Sequence, residues 1–104
     1  MNVIIPNSVT TIGSSAFEGC TKLNNIELPN SVTYIGNSAF EECENLVNIT
    51  IPNSVTKIGD FAFCGCISLT NIVIPDSVKT VGEYSFSGCS KLTIATIGNV
   101  ITLI

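Results

Sequence analysis

Five cysteines, a run of glutamates and a column of serines are the residues of this chain with the greatest chemical potential. Cys20, Cys43, Cys66 and Cys89 recur at a fixed spacing, and Cys64 stands two residues before Cys66. Four thiolates converging tetrahedrally at about 2.3 Å would hold zinc. Cysteines recurring once per repeat are instead set in a line, nearly 5 Å apart per step, and point the same way. A disulfide between steps satisfies the Cα separation of about 4.4–6.8 Å, but parallel Cβ directions oppose the near-perpendicular dihedral it needs. The column therefore reads as small buried apolar residues. Cys64 lies outside it and is expected to be the one thiol that labels quickly. An odd total of five leaves the redox compartment open.

Other chemistry is thinner still. The chain has no His, which removes His-based triads and the usual zinc sites. Ser8, Ser31, Ser54 and Ser77 recur beside Val with no base nearby, as a hydroxyl column capping turns would. Glu41, Glu42 and Glu44 are the densest acidic cluster, with no matching set one repeat away, and read as a solvated face. No cofactor or metal is implied, and an enzyme is not expected. Formal charge is −4, with four Lys and no Arg. Clustered cations for phosphate are absent, so no nucleic-acid partner is expected, nor an anionic membrane surface. No apolar run approaches the ~20 residues that cross a bilayer, so membrane insertion is not expected either.

What positions these residues is a repeat. Pro6, Pro29, Pro52 and Pro75 are 23 residues apart, and so are Gly13, Gly36, Gly59 and Gly82. Phe17, Phe40, Phe63 and Phe86 keep the same interval, as do Leu23, Leu46, Leu69 and Leu92. Ile26-x-Leu28, Ile49-x-Ile51 and Ile72-x-Ile74 alternate like short strands with one buried face. Each pair is ended by proline, and Asn7, Asn30, Asn53 and Asp76 then supply turn chemistry. Gly-x-x-Ala-Phe-x-x-Cys-x-x-Leu has a spacing that suits one or two helical turns. A unit this short cannot bury its own apolar side, whereas copies stacked about 4.8 Å apart can. With 45% hydrophobic and 12% charged residues, a packed single domain over 1–104 is expected rather than a disordered chain.

The stretch Leu46-Val-Asn-Ile-Thr-Ile-Pro-Asn-Ser-Val-Thr-Lys-Ile-Gly-Asp-Phe-Ala-Phe-Cys-Gly-Cys66, repeated with small changes, resembles the BspA-like (Treponema-type) leucine-rich repeats. The resemblance covers nearly the whole chain. It implies an α/β repeat solenoid, with short parallel strands on a concave face and short helical turns on a convex one. A parallel β-helix is the alternative architecture, which the Gly-x-x-Ala-Phe-x-x-Cys spacing disfavours. Membership also implies a microbial cell-surface or secreted protein linked to adhesion. No signal peptide is visible at Met1-Asn2-Val3-Ile4-Ile5-Pro6, which has no basic start and no apolar core.

Two surfaces are candidates for a protein or peptide partner. Phe61 shares a column with Ser15, Ser38 and Tyr84; Cys64 shares one with Glu18, Glu41 and Ser87. These columns should face out, which clusters Phe61, Cys64 and Tyr84 in a convex patch. On the strand side Asn25, Asn48, Asn71, Thr50 and Val73 point outwards on a surface that is uncharged except for Glu27. The alternative to a binding module is a structural spacer with no ligand of its own. Both ends lack a polar cap: Val3 and Ile5 open mid-repeat, and Ile101 and Ile104 fall in the columns of Val78 and Val81. A segment cut from a longer array would show this. So would a chain that self-associates through its ends.

Overall fold

The computed structural model of the chain describes residues 2–92 and 94–97. Each repeat makes one coil, and equivalent residues of successive coils pair in parallel. The first ladder is built from β1 (Asn2–Val3), β3 (Asn25–Glu27) and β5 (Asn48–Thr50), in that order. Its register sets Asn2 opposite Asn25, Asn25 opposite Asn48, and Ile26 opposite Ile49. β7 (Asn71–Ile74) packs beside β5 and pairs with β9 (Ile94–Ile97). Alternation along these strands sends Ile26, Ile49 and Ile72 inwards and leaves the residues on either side exposed. Proline ends each strand, and a tight turn follows in which the amide of Val9, Val32, Val55 or Val78 donates to the carbonyl of Pro6, Pro29, Pro52 or Pro75 at 3.1 Å.

A second ladder was not expected from the sequence. β2 (Thr11–Ile12), β4 (Tyr34–Ile35), β6 (Lys57–Ile58) and β8 (Thr80–Val81) pair in that order, every partner 23 residues on. Two residues are too few to show alternation, so the signal was only a β-branched residue before glycine. At that glycine, from the second coil on, the neighbouring backbone leaves no room for a side chain. A Cβ on Gly36 would sit 2.8 Å from the Ser14 amide nitrogen and 2.9 Å from the Ile12 carbonyl oxygen. A side chain there would force the coils apart.

The helical turns expected over Gly-x-x-Ala-Phe-x-x-Cys do not form. In a helix every amide donates four residues back. Here the amides alternate in direction. Those of Ser38, Phe40 and Glu42 donate to the next coil, to Asp60, Ala62 and Cys64, at 2.7–2.8 Å. Those of Ala39, Glu41 and Cys43 turn back three residues, at 3.2 Å. The backbone cause is a left-handed residue at two points of each turn. Ser15, Ser38, Phe61 and Tyr84 take φ of 58–60°, and Gly19, Glu42, Gly65 and Gly88 take 59–77°. A right-handed helix cannot run through either. Every second amide is thereby freed to join the coils, so the segment acts as a third ladder.

The core is a set of columns. Phe40 and Phe63 are fully buried, as are Leu23, Leu46 and Leu69, Ile35 and Ile58, and Cys43 and Cys66. Phe17, Phe40, Phe63 and Phe86 stack face to face with ring centroids 5.3–5.6 Å apart and planes within 5°. First-coil members of these columns, among them Val3, Ile5, Val9, Phe17 and Cys20, are only half-buried because nothing lies beneath them among the described residues. Each buried Phe or Leu contributes on the order of 1.5–3 kcal/mol, and most of it comes from the coils above and below.

Candidate interaction surface

The serine and cysteine columns are structural. Ser31 Oγ donates to the Val9 carbonyl and Ser54 Oγ to the Val32 carbonyl, each at 2.6 Å and each on the preceding coil. These hydroxyls therefore join coils and do not cap turns. Cys43, Cys66 and Cys89 donate from Sγ to the carbonyls of Phe17, Phe40 and Phe63 at 3.1 Å. Burial pushes the Cys43 thiol up to about 11 and Cys66 higher still, which keeps both protonated and able to donate. Cys64 is half-buried, and so is Cys20, which makes two reachable thiols where the sequence led us to expect one. The Cys64 thiol is raised by burial first and by the Glu41 and Glu42 carboxylates second. It is thus a poor nucleophile near neutral pH. Among the described residues no group of three His, Cys, Asp or Glu is placed to hold a metal ion.

On the strand face, Asn25, Asn48 and Asn71 recur at one strand position with exposed side chains, and Thr50 and Val73 are exposed beside them. Val73 is 60% exposed, and Ile4, which shares its column, is 92% exposed. A shallow groove of about 420 Å³ runs where the strands meet the proline turns, bordered by Val3, Ile5, Glu27, Thr50, Pro29 and Pro52. A smaller one of about 270 Å³ lies between Asn48, Thr50, Asn71 and Val73. Their linings are amide, hydroxyl and aliphatic, with Glu27 as the lone charge, and offer no acid–base pair.

The turn face is different in kind. Phe61 and Tyr84 stack on one another with centroids 5.3 Å apart and planes 21° apart, while 40% and 53% exposed. Cys64 lies on the same turn, its amide donating to the Phe61 carbonyl at 3.1 Å. The three residues read from the sequence as an outward cluster are therefore on one surface, with the two rings in contact. Both aromatics occupy the left-handed backbone region, where a bulky side chain is uncommon and costs on the order of 1–2 kcal/mol. Hydrogen bonds from one coil to the next hold the Phe61 turn there. The Phe61 amide donates to the Glu83 carbonyl at 2.9 Å. Beside it, the Asp60 amide donates to Asn37 Oδ1 and the Glu83 amide to Asp60 Oδ1, both at 2.9 Å.

The sequence reading missed the company these rings keep. The four segments 14–20, 37–43, 60–66 and 83–89 form the turn face. They carry Glu18, Glu41, Glu42, Asp60 and Glu83, five of the eight acidic residues, and none of the lysines. Counting charge by repeat position would have shown it; counting along the chain did not. Of the residues proposed for self-association, Val3 and Ile5 are half-buried against the core, and Ile101 and Ile104 lie outside the described residues. No helix among the described residues is long and apolar enough to cross a membrane.

Known proteins share this architecture. The chain is similar to the crystal structure of the pneumococcal vaccine antigen PcpA, at 33% identity and a TM-score of 0.90, over 96% of this chain and 25% of that one. It is similar also to a T. pallidum leucine-rich-repeat protein, at 29% identity and a TM-score of 0.76, over 90% of this chain and 57% of the other. A leucine-rich cell surface protein of Faecalibacterium prausnitzii matches at 33% identity and a TM-score of 0.65, over 92% of this chain and 31% of that one. The chain thus spans a quarter to rather more than half the length of these relatives. No curated protein matches it. The BspA type leucine rich repeat region matches residues 1–104 in six copies, and the chain belongs to that family.

Proposed function

We propose that the chain is a non-catalytic, protein-binding repeat module of a microbial surface or secreted protein of the adhesion type. The observation that carries this reading is the Phe61–Tyr84 pair. Two aromatic rings are held exposed, on backbone that disfavours them, in a column whose other members are Ser15 and Ser38. Nothing in the packing of the core requires rings at those positions. Names of the similar proteins, a vaccine antigen and a cell surface protein, support the location. Stacked backbone ladders present side chains in fixed rows, an arrangement suited to display. Among the described residues no arrangement of acid, base and nucleophile competes with that reading.

Patchwise substitution tests it. The wild-type chain, a turn-face variant (Phe61→Ser with Tyr84→Ser) and a strand-face variant (Asn48→Asp with Val73→Asp) would be passed over purified extracellular proteins by surface plasmon resonance. Binding that one variant loses and the other keeps is the expected result. Binding that neither variant alters would overturn both candidate faces, and no binding at all would leave the chain a spacer. We further propose that copies associate through the half-buried first-coil residues Val3 and Ile5. Light scattering should then give a mass above 11.0 kDa that falls on Ile5→Glu, and a constant monomer mass would refute it.

A further inference from the structure

We propose that the turn face of the second to fourth coils receives an arginine of the partner, its guanidinium stacked on the Phe61 ring and paired with the acidic rim. The proposal rests on the reading of the chain as a protein-binding module and gives the partner's contacting segment a chemistry.

Three observations converge on it. The first is the shape of the column. Phe61 and Tyr84 stack at 5.3 Å, close to the spacing of the inner Phe ladder, so the outer stack also runs from coil to coil. One step back the column holds Ser38, and two steps back Ser15. The Phe61 face turned away from Tyr84 thus looks towards a hydroxymethyl group where the ladder would accept another flat group. A guanidinium is planar and stacks on ring faces; an ammonium is a compact point charge.

The second is charge. Glu18, Glu41, Glu42, Asp60 and Glu83 share the turn face with the rings, and every lysine lies elsewhere in the repeat. Glu41 occupies the Cys64 column one coil back, on the same side as Ser38. Both Glu41 and Glu42 lie close enough to Cys64 for their charge to act on its thiol. A cation over Phe61 therefore sits beside carboxylates that present a two-pronged acceptor to an arginine fork.

The third is rigidity. The Phe61 amide is tied to the Glu83 carbonyl of the next coil, and the Tyr84 carbonyl accepts from the Ser87 amide of its own turn, so little ordering is left to be done on binding. Elsewhere the chain itself makes such a contact: Lys57 Nζ lies 5.5 Å from the Tyr34 ring centroid on the second ladder.

The test is an NMR titration of the wild-type chain at physiological salt with oligoarginine and with oligolysine of equal length. Arginine should shift the ring resonances of Phe61 and Tyr84 and bind several-fold more tightly than lysine. Phe61→Ser should weaken the arginine peptide about tenfold, the loss of one desolvated cation–π contact. Glu41→Gln with Glu42→Gln should weaken it about as much, whereas Tyr34→Ser on the second ladder should leave it unchanged. Because serine already fills the same column twice, Phe61→Ser should keep the wild-type fold, checked by its melting curve. An arginine peptide that binds no better than lysine, or binds Phe61→Ser as well as wild type, overturns the proposal. In that event a protein captured through the turn face would still uphold the broader reading, and only the arginine chemistry would fall.

Discussion

Two aromatic columns in this molecule have nearly the same geometry and opposite surroundings. Phe17, Phe40, Phe63 and Phe86 stack at 5.3–5.6 Å inside the coils, and Phe61 and Tyr84 stack at 5.3 Å on the outside. The inner rings are parallel to within 5°, while the outer pair is tilted by 21°. Stacking distance follows from the rise between coils and so says nothing of role. Burial separates them: Phe63 is fully enclosed and Phe61 is 40% exposed. Inner rings hold the coils together. Outer rings ride on coils that hold without them.

The largest effect should come from the inner column. Phe63→Ala should cost about 3–5 kcal/mol, the usual penalty for truncating a buried ring, and abolish cooperative thermal unfolding. Phe61→Ser should change stability by about 1 kcal/mol or less, because the lost stacking is offset by relief of a bulky residue at positive φ. Equal melting points for the two variants would erase the distinction.

A similar contrast within one glycine column should be smaller. A Cβ on Gly59 would lie 2.7 Å from the Asn37 amide nitrogen and 2.8 Å from the Gly36 carbonyl carbon. One on Gly13 would meet nothing within 4 Å. Gly59→Ala should cost roughly 1–3 kcal/mol by overpacking, and Gly13→Ala should be neutral or slightly stabilising. Denaturant midpoints would show whether coil-to-coil contact, and not backbone conformation, is what the glycine serves.

The smallest effect is chemical. Thiol titration of the native chain should find two reachable cysteines, Cys20 and Cys64, and three that react only on unfolding. Labelling of Cys64 should quicken as pH rises well above the usual thiol range, since its pKa is raised and the thiolate is the reactive form. Glu41→Gln with Glu42→Gln should quicken it at any fixed pH. A Cys64 that labels as fast at neutral pH as a small free thiol would mean that its carboxylate neighbours are not where the structure puts them.

The repeat made much of this legible. A period of 23 residues gave the coil and the inward columns, and the β-branched pairs before proline gave the first ladder. Columns of serine and glutamate mark Phe61, Cys64 and Tyr84 as outward in the sequence alone. The turn was misread because Gly-x-x-Ala-Phe-x-x-Cys places its apolar residues as a helical turn would. Ser15, Ser38, Phe61, Tyr84 and Glu42 carry no sign of positive φ, which in an isolated chain only glycine or asparagine would announce.

By itself, then, the sequence determined which residues face each other from coil to coil, because a strict period admits only one register when coils stack. It also determined which columns are apolar and so which side is core. Only the tertiary structure decided how the backbone travels between columns. Its amides had to be satisfied, and the neighbouring coil, present only after stacking, offered carbonyls at 2.7–2.9 Å that outcompeted a local helix. The same stacking brought Phe61 against Tyr84 and set five carboxylates on the same turn face, since residues 23 apart along the chain become neighbours only when the coils close on one another.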